Sequence, residues 1–425
     1  MIFNLWVLYE RVNKGYYMID TYNNNKKIIG SVIKFNRINN NISQKQLSRG
    51  ICVPSYLSRI ENGELLPSED VLSIIFNRLG LEFNDSPEFI NKGTSYLKDF
   101  FNNLNLNEFD YTNKLFDILE KEEDKYIASP LIIDYLLAKL ARYSSTPSRD
   151  KFEDSKNLIL SSFHLLSNKQ KFIYNFYVAI DILIQSSNKE TGKILLQEAL
   201  NYKESGHCYF WLSYSYRIEN NPIKAYDSIQ KALNLYVAEG NIISIMDTYE
   251  KLAEVYFMLD NYSDAIHYLE ISLNMAKKFN NIYFIEHINS ILAWAYYRLN
   301  DYKKSLEYLN YNTGLIDHRI IIPDTIVKSL VYFSLGDKAS LKAVINYLNT
   351  EYTLQHISSE LSSLIYELFN IFITDENYMK NPYLEELLIK IINNINKLVE
   401  LKKVFTTLLK DYYITNRRYK DALFI

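Results

Sequence analysis

Along residues 26–84 the apolar positions recur with a helical period in short bursts. Ile29, Ile33 and Ile38 space as one face of a first helix. Ser43 with Gln46 three residues on has the reciprocal arrangement of a capping box, opening a second helix with Leu47 and Ile51 as its inward pair. Pro54 suits the first turn of a third helix, where its missing N–H would have no partner anyway. Leu57 and Ile60 point to the core, and Gly63 stands just past the helix end. Ser68 caps a fourth helix, with Glu69 and Asp70 at its positive end and Leu72, Ile75 and Leu79 as its buried stripe. Short helices with a tight turn between the second and third predict a helix-turn-helix unit.

From Asp85 onward the pattern becomes a series of longer helices. "IENNPIKAYDSIQKAL" (218–233), "LDNYSDAIHYLEISL" (259–273) and "LNDYKKSLEYLNYNT" (299–313) align with one another. Ala225, Ala265 and Ser305 are spaced by 40, as are Tyr216, Tyr256 and Tyr296, and Asn220, Asp260 and Asn300. Upstream, Gly192 and Ala199 each stand 33 residues before Ala225 and Ala232; downstream, residues 332–348 and 412–425 continue the phrase. Small residues at fixed positions let two helices approach closely, while large ones fill the holes between neighbours. That is the logic of tetratricopeptide repeats, with the usual period of about 34 stretched in the middle.

With weaker units starting near 87, 130 and 353, about nine helical hairpins are expected, stacked into a right-handed superhelix with a concave groove. The predicted fold is all-α. It has an N-terminal extension (1–25), a repressor-type helix-turn-helix domain (26–84) and a tetratricopeptide-repeat α-solenoid (85–425). The extension fits neither neighbour, and Met18 is an alternative translation start.

Composition sharpens this picture. Apolar residues make up 48% of 425, ample for a core, and 11 Gly with 8 Pro leave few turns, as a helical protein with short connections requires. The net charge is −3, yet residues 26–82 hold eight Lys/Arg against five Asp/Glu. Positive charge is therefore local, as phosphate contact needs. The two cysteines, Cys52 and Cys208, suggest no disulfide framework and fit a reducing cytosol, each as a small buried hydrophobe. No apolar run reaches the roughly 18 residues of a membrane helix, so a cytoplasmic protein is expected. There is no HExxH, paired His/Cys spacing, phosphate-binding glycine loop or nucleophile elbow, so no enzyme, metal or cofactor is expected.

On the third helix Ser55, Tyr56, Arg59 and Asn62 are left facing away from the core. A narrow face with one Arg suits base readout in a major groove. The stretch 26–84 resembles the XRE-type helix-turn-helix of phage repressors, in the texture of Gln44–Ser48, Ile51–Cys52 and Ser58–Gly63. With the repeats behind it, the chain resembles the RRNPP family of peptide-sensing transcription regulators, in length its NprR-type members. The spacing between Leu47 and Glu61 is one residue shorter than in phage repressors, which leaves the register of Pro54 and Ser55 open.

The resemblance implies that Ser55 and Arg59 face base edges, and that Tyr56 reaches a thymine methyl or a phosphate. Asn62 would touch backbone phosphate. Gln44, with Lys45 beside it at the start of the second helix, would contact phosphate or brace the recognition helix. Arg37 and Glu61 would form a structural interhelical ion pair. It further implies a homodimer on an inverted-repeat operator, and a short signalling peptide held on the inner helix faces. Those faces would carry Tyr174, Tyr177, Asp181, Gln185, Tyr214, Arg217, Glu250, Glu254, His287, Trp294 and Arg298, although aromatic stripes at this spacing also serve as inter-repeat core. Two other outcomes stay open: a repeat platform that docks a response-regulator partner in sporulation control, and a repressor independent of any peptide.

Overall fold

The computed structural model describes residues 25–144, 146–310, 322–348, 357–395 and 398–425. Residues 1–24 of the expected extension, Met18 included, lie outside them, as do residues 311–313 of the third repeat phrase and the start of the unit expected near 353. Among the described residues there are 23 α-helices and no strand. The all-α helix-turn-helix and helical-repeat architecture is therefore present. The chain divides into two compact units, 1–244 and 245–425.

The first unit opens with α1 (Asn25–Asn39), α2 (Gln44–Ser48), α3 (Pro54–Glu61) and α4 (Glu69–Leu79). Ser43 and Gln46 form the expected capping box. α2 stops before Ile51, because Gly50 takes the left-handed φ of 73° that turns the chain toward α3. Ile51 still packs against the core from that turn. Ser68 stands at the N-cap of α4, but its side chain makes no capping hydrogen bond.

Val32, Ile33, Leu47, Leu57, Ile60 and Ile75 are buried together, and their cluster runs on without a break into residues of the first repeats such as Leu97, Phe116, Leu136 and Val178. The N-terminal helices are thus seated on the repeats. Asn36 Nδ2 donates to the Ile127 carbonyl at 2.8 Å, and Lys34 Nζ donates to that of Ser161. Burial of the ammonium lowers the Lys34 pKa.

The repeats of this unit are α5 (Pro87–Asn105), α6 (Phe109–Lys121), α7 (Glu123–Ile127), α8 (Ile132–Tyr143), α9 (Arg149–Ser161), α10 (Asn168–Gln185), α11 (Lys189–Tyr202), α12 (Gly206–Ile218) and α13 (Pro222–Glu239). Gly192 lets α11 close on α10: a Cβ there would stand 2.7 Å from Leu183 Cγ. Ala199 and Ala225 are fully buried at their small-residue positions.

The second unit holds α14 (Ile242–Met258, which begins just ahead of it), α15 (Tyr262–Lys278), α16 (Ile282–Arg298), α17 (Tyr302–Asn310), α18 (Asp324–Leu335), α19 (Lys338–Ile345), α20 (Ser359–Thr374), α21 (Tyr383–Asn394), α22 (Val399–Thr415) and α23 (Tyr419–Leu423). Asn220, Asp260 and Asn300 all sit at positive φ, 55°, 52° and 61°. In each case the next residue's N–H returns to the carbonyl of the conserved-spacing tyrosine, Tyr216, Tyr256 or Tyr296. The residue after the turn, Asn221, Asn261 or Asp301, then accepts from a backbone N–H three positions on and starts the following helix. The 40-residue spacing is one reverse turn used three times.

Candidate nucleic-acid interface

Glu61 organises this site. It is fully buried at the end of α3. Its carboxylate accepts from Arg37 Nε at 2.5 Å and Nη2 at 2.8 Å, and from Gln44 Nε2 at 2.7 Å. Arg37 Nη1 also donates to the Ile42 carbonyl at 2.9 Å. Three helices thus meet on one carboxylate, a bidentate and charge-assisted arrangement. Gln44 serves here as a brace for α3.

Gly30 makes the close approach possible. A Cβ there would lie 2.2 Å from the Ile60 carbonyl oxygen, so α1 can rest on the end of α3 only with glycine. Behind α2, Arg78 Nη1 donates to the Leu47 carbonyl at 3.0 Å and also to that of Arg49. These contacts leave α3 held from behind by Leu57, Ile60 and Glu61.

The opposite face of α3 is open. Ser55 and Arg59 are exposed, Tyr56 and Asn62 half-buried, Lys45 exposed and Gln44 half-buried. Arg59 Nε lies 3.6 Å from Glu64 Oε2, with 59% and 56% of the two side chains exposed. An ion pair that open and that long contributes little and is screened by salt. The guanidinium is therefore available to an incoming acceptor. Two further exposed side chains share this region, Arg49 in the turn and Val53, 63% exposed, immediately before Pro54. Sequence reasoning passed over both. The signal for Val53 was its place at the N-cap, where an apolar residue gains nothing from the helix.

The positions expected on the inner repeat faces divide by burial. Tyr177, Tyr214 and Arg217 are half-buried and Gln185 is exposed. Arg217 stands over the Tyr214 ring at 6.0 Å. Tyr174 is instead in the core, edge-on to Phe163, and Asp181 is buried against Arg149. In the second unit Glu250, Glu254, His287 and Trp294 are all buried. These six are enclosed rather than an open lining, because the neighbouring helices close over them.

Lys251 Nζ bridges Glu250 at 2.6 Å and Glu254 at 2.5 Å, and His287 Nε2 lies 3.1 Å from Glu250. Burial alone would raise the Glu250 carboxyl, but Lys251 and His287 overcome it and hold that group well below the usual carboxylate range. Arg298 keeps 20% of its side chain exposed. Burial pushes the Cys208 thiol up to about 12, as an inert core group requires. Among the described residues no cluster of His, Cys, Asp and Glu could hold a metal, and no helix is long and apolar enough to cross a membrane.

Residues 33–85 match the helix-turn-helix family model, a span that holds α2, α3 and α4 and most of α1. The N-terminal segment is thus a helix-turn-helix domain. No curated protein matches the chain by sequence. Among solved structures, the chain is similar to a Rap protein complexed with competence and sporulation factor: TM-score 0.60 at 13% identity, over 79% of this chain and 95% of that one. It is also similar to the apo form of the quorum sensor NprR from B. thuringiensis (TM-score 0.59, 15% identity, 78% and 96% covered). NprR in complex with its cognate peptide NprX gives a TM-score of 0.52 at 17% identity, with 77% and 98% covered. The likeness is one of fold, that of the helical repeats these proteins share.

Proposed function

We propose that the chain is a sequence-specific DNA-binding transcription regulator of the cytoplasm, and that a short peptide held by its repeats controls it. The observation that carries this is the open Ser55–Arg59 face of α3, held rigid from behind by the Arg37–Glu61–Gln44 cluster. A helix presented this way inserts into a major groove with its polar face toward base edges. Arg59 can donate two hydrogen bonds to one guanine, Ser55 and Tyr56 read its neighbours, and Lys45 and Asn62 meet phosphates.

One such helix reads only a few base pairs, so the regulator acts as a homodimer on an inverted repeat. Control by a peptide is supported by the fold shared with NprR, whose structure with a cognate peptide is known. A ligand that favours one dimer arrangement over another changes DNA affinity by its differential binding, typically about 1–3 kcal/mol. No residue is assigned a catalytic part.

The test is DNA binding by the full chain, measured by fluorescence anisotropy on its own upstream region, with and without peptides encoded by neighbouring small reading frames. Arg59→Ala should weaken the specific complex by about 1–3 kcal/mol while its circular dichroism stays unchanged. Equal binding by wild type and variant would remove the readout role. A second reading rests on the likeness to the Rap protein: the repeats dock a response-regulator protein, and Arg59→Ala then leaves the cellular phenotype intact.

A further inference from the structure

In the second unit, α22 reaches back over a long stretch of chain to the end of α16. Glu400 Oε2 accepts from Arg298 Nη1 at 3.1 Å and from the Tyr262 hydroxyl at 2.8 Å. Lys403, one turn further along α22, binds Glu400 Oε1 at 2.9 Å and Asp260 Oδ1 at 2.9 Å. The Arg298 guanidinium also lies over the Tyr262 ring at 4.7 Å and beside the Trp294 ring at 5.8 Å. Trp294 is 4% exposed, and its indole N–H has no acceptor. A buried donor without a partner costs free energy, and native proteins retain few of them.

Arg298, Tyr262 and Trp294 together are the parts of a carboxylate site: a planar cation, a hydroxyl donor and an apolar wall with one further N–H to give. Two carboxylates of the chain itself already meet it: Glu400 closely, and Asp260 with Oδ1 3.1 Å from the Tyr262 hydroxyl and 4.0 Å from Arg298 Nη2. The geometry points to Glu400 as a built-in occupant of a peptide carboxylate site, so that a peptide enters by displacing Glu400 from Arg298 and Tyr262. This rests on the peptide-binding reading above and adds which chemistry the peptide must bring. Displacement frees α22 from α15 and α16 and leaves Lys403 with Asp260. An internal competitor lowers apparent affinity by the fraction of time it holds the site.

The test uses the full-length chain and two random hexapeptide pools, one with free C-terminal carboxylates and one amidated. Peptides retained after gel filtration are identified by mass spectrometry. Glu400→Gln keeps the shape and removes the charge, and should raise retention from the free-acid pool roughly tenfold over wild type. Tyr262→Phe, which removes one donor to Glu400 and one to the ligand alike, should give at most a small change, and Arg298→Met should abolish the gain in the Glu400→Gln background. A gain confined to the free-acid pool assigns the site to a C-terminal carboxylate. A gain in both pools, with Asp or Glu enriched, assigns it to an acidic side chain. If wild type and Glu400→Gln retain the same peptides equally, Glu400 is a structural staple and the inference fails while peptide binding stands. If neither retains any peptide, both readings fall.

Discussion

Glu61 shows how much one side chain can decide. It is buried, negative and shared by Arg37 and Gln44, so removing it strands the Arg37 charge, only 12% exposed, against the core. Breaking one partner of a buried pair typically costs about 3–5 kcal/mol. Glu61→Ala should lower stability by that amount, read as a shift in the urea midpoint, whereas Glu64→Ala at the exposed partner of Arg59 should change it by less than about 1 kcal/mol.

His207 sets a second residue-scale expectation. Its Nε2 donates to the Asn105 carbonyl at 3.0 Å, so Nδ1 accepts from the Tyr236 hydroxyl at 2.8 Å. Burial pushes its pKa down to about 4, against an opposing pull from the Asn105 carbonyl. The unfolded chain then binds a proton between about pH 6.5 and 4 that the folded chain refuses. This contribution to stability is full above pH 6.5 and is lost as pH falls through that window. Denaturation at pH 7 and pH 4.5 should show that loss in wild type, and a smaller one in His207→Asn.

At the scale of elements, the repeated turn is the most instructive feature. Asn220, Asp260 and Asn300 occupy a left-handed conformation that a β-branched residue resists by about 1–2 kcal/mol. Asn300→Val should lower the thermal midpoint by an amount matching that cost, and Asn300→Gly should leave it within a few tenths of a kcal/mol. Comparable losses for both would mean that the Asn side chain, not its backbone, carries the turn. The helix boundaries follow the same local rules. α2 is shorter than its apolar pair suggests because Gly50, not Ile51, decides where the chain turns.

At the scale of the whole molecule, the proposed DNA binding by a chain of net charge −3 has to go through one basic end. Affinity should therefore fall steeply with salt, since it depends on a few phosphate contacts. It should also need two half-sites about one helical turn apart, or a multiple of that, on one face of the duplex. Titrating a single half-site and an inverted repeat side by side checks this: equal affinity would mean that one copy suffices. The seating of α1 on the repeats through Asn36 and Lys34 bears on the same scale. It fixes the helix-turn-helix domain to the repeats within the first unit, the mount that the proposed readout by α3 would use.

The amino-acid order by itself determined most of the helices, the Ser43 cap, the helix-turn-helix unit and the turns of the 40-residue phrase. Each of these depends on residues a few positions apart: Ser43 with Gln46, Pro54 at a first turn, Asn300 beside Asp301. It also marked Ser55 and Arg59 as outward, because Leu57 and Ile60 had to point in. Only the tertiary structure decided which polar side chains stay in water. Glu250, His287 and Asp181 read in sequence like a binding face, yet their carboxylates and imidazole are enclosed with partners on other turns or helices. The Glu400–Arg298 contact spans 102 residues and the Lys403–Asp260 contact 143. A charged residue has the same spacing whether solvated or paired, and only the packing of distant helices brings its partner within hydrogen-bond reach.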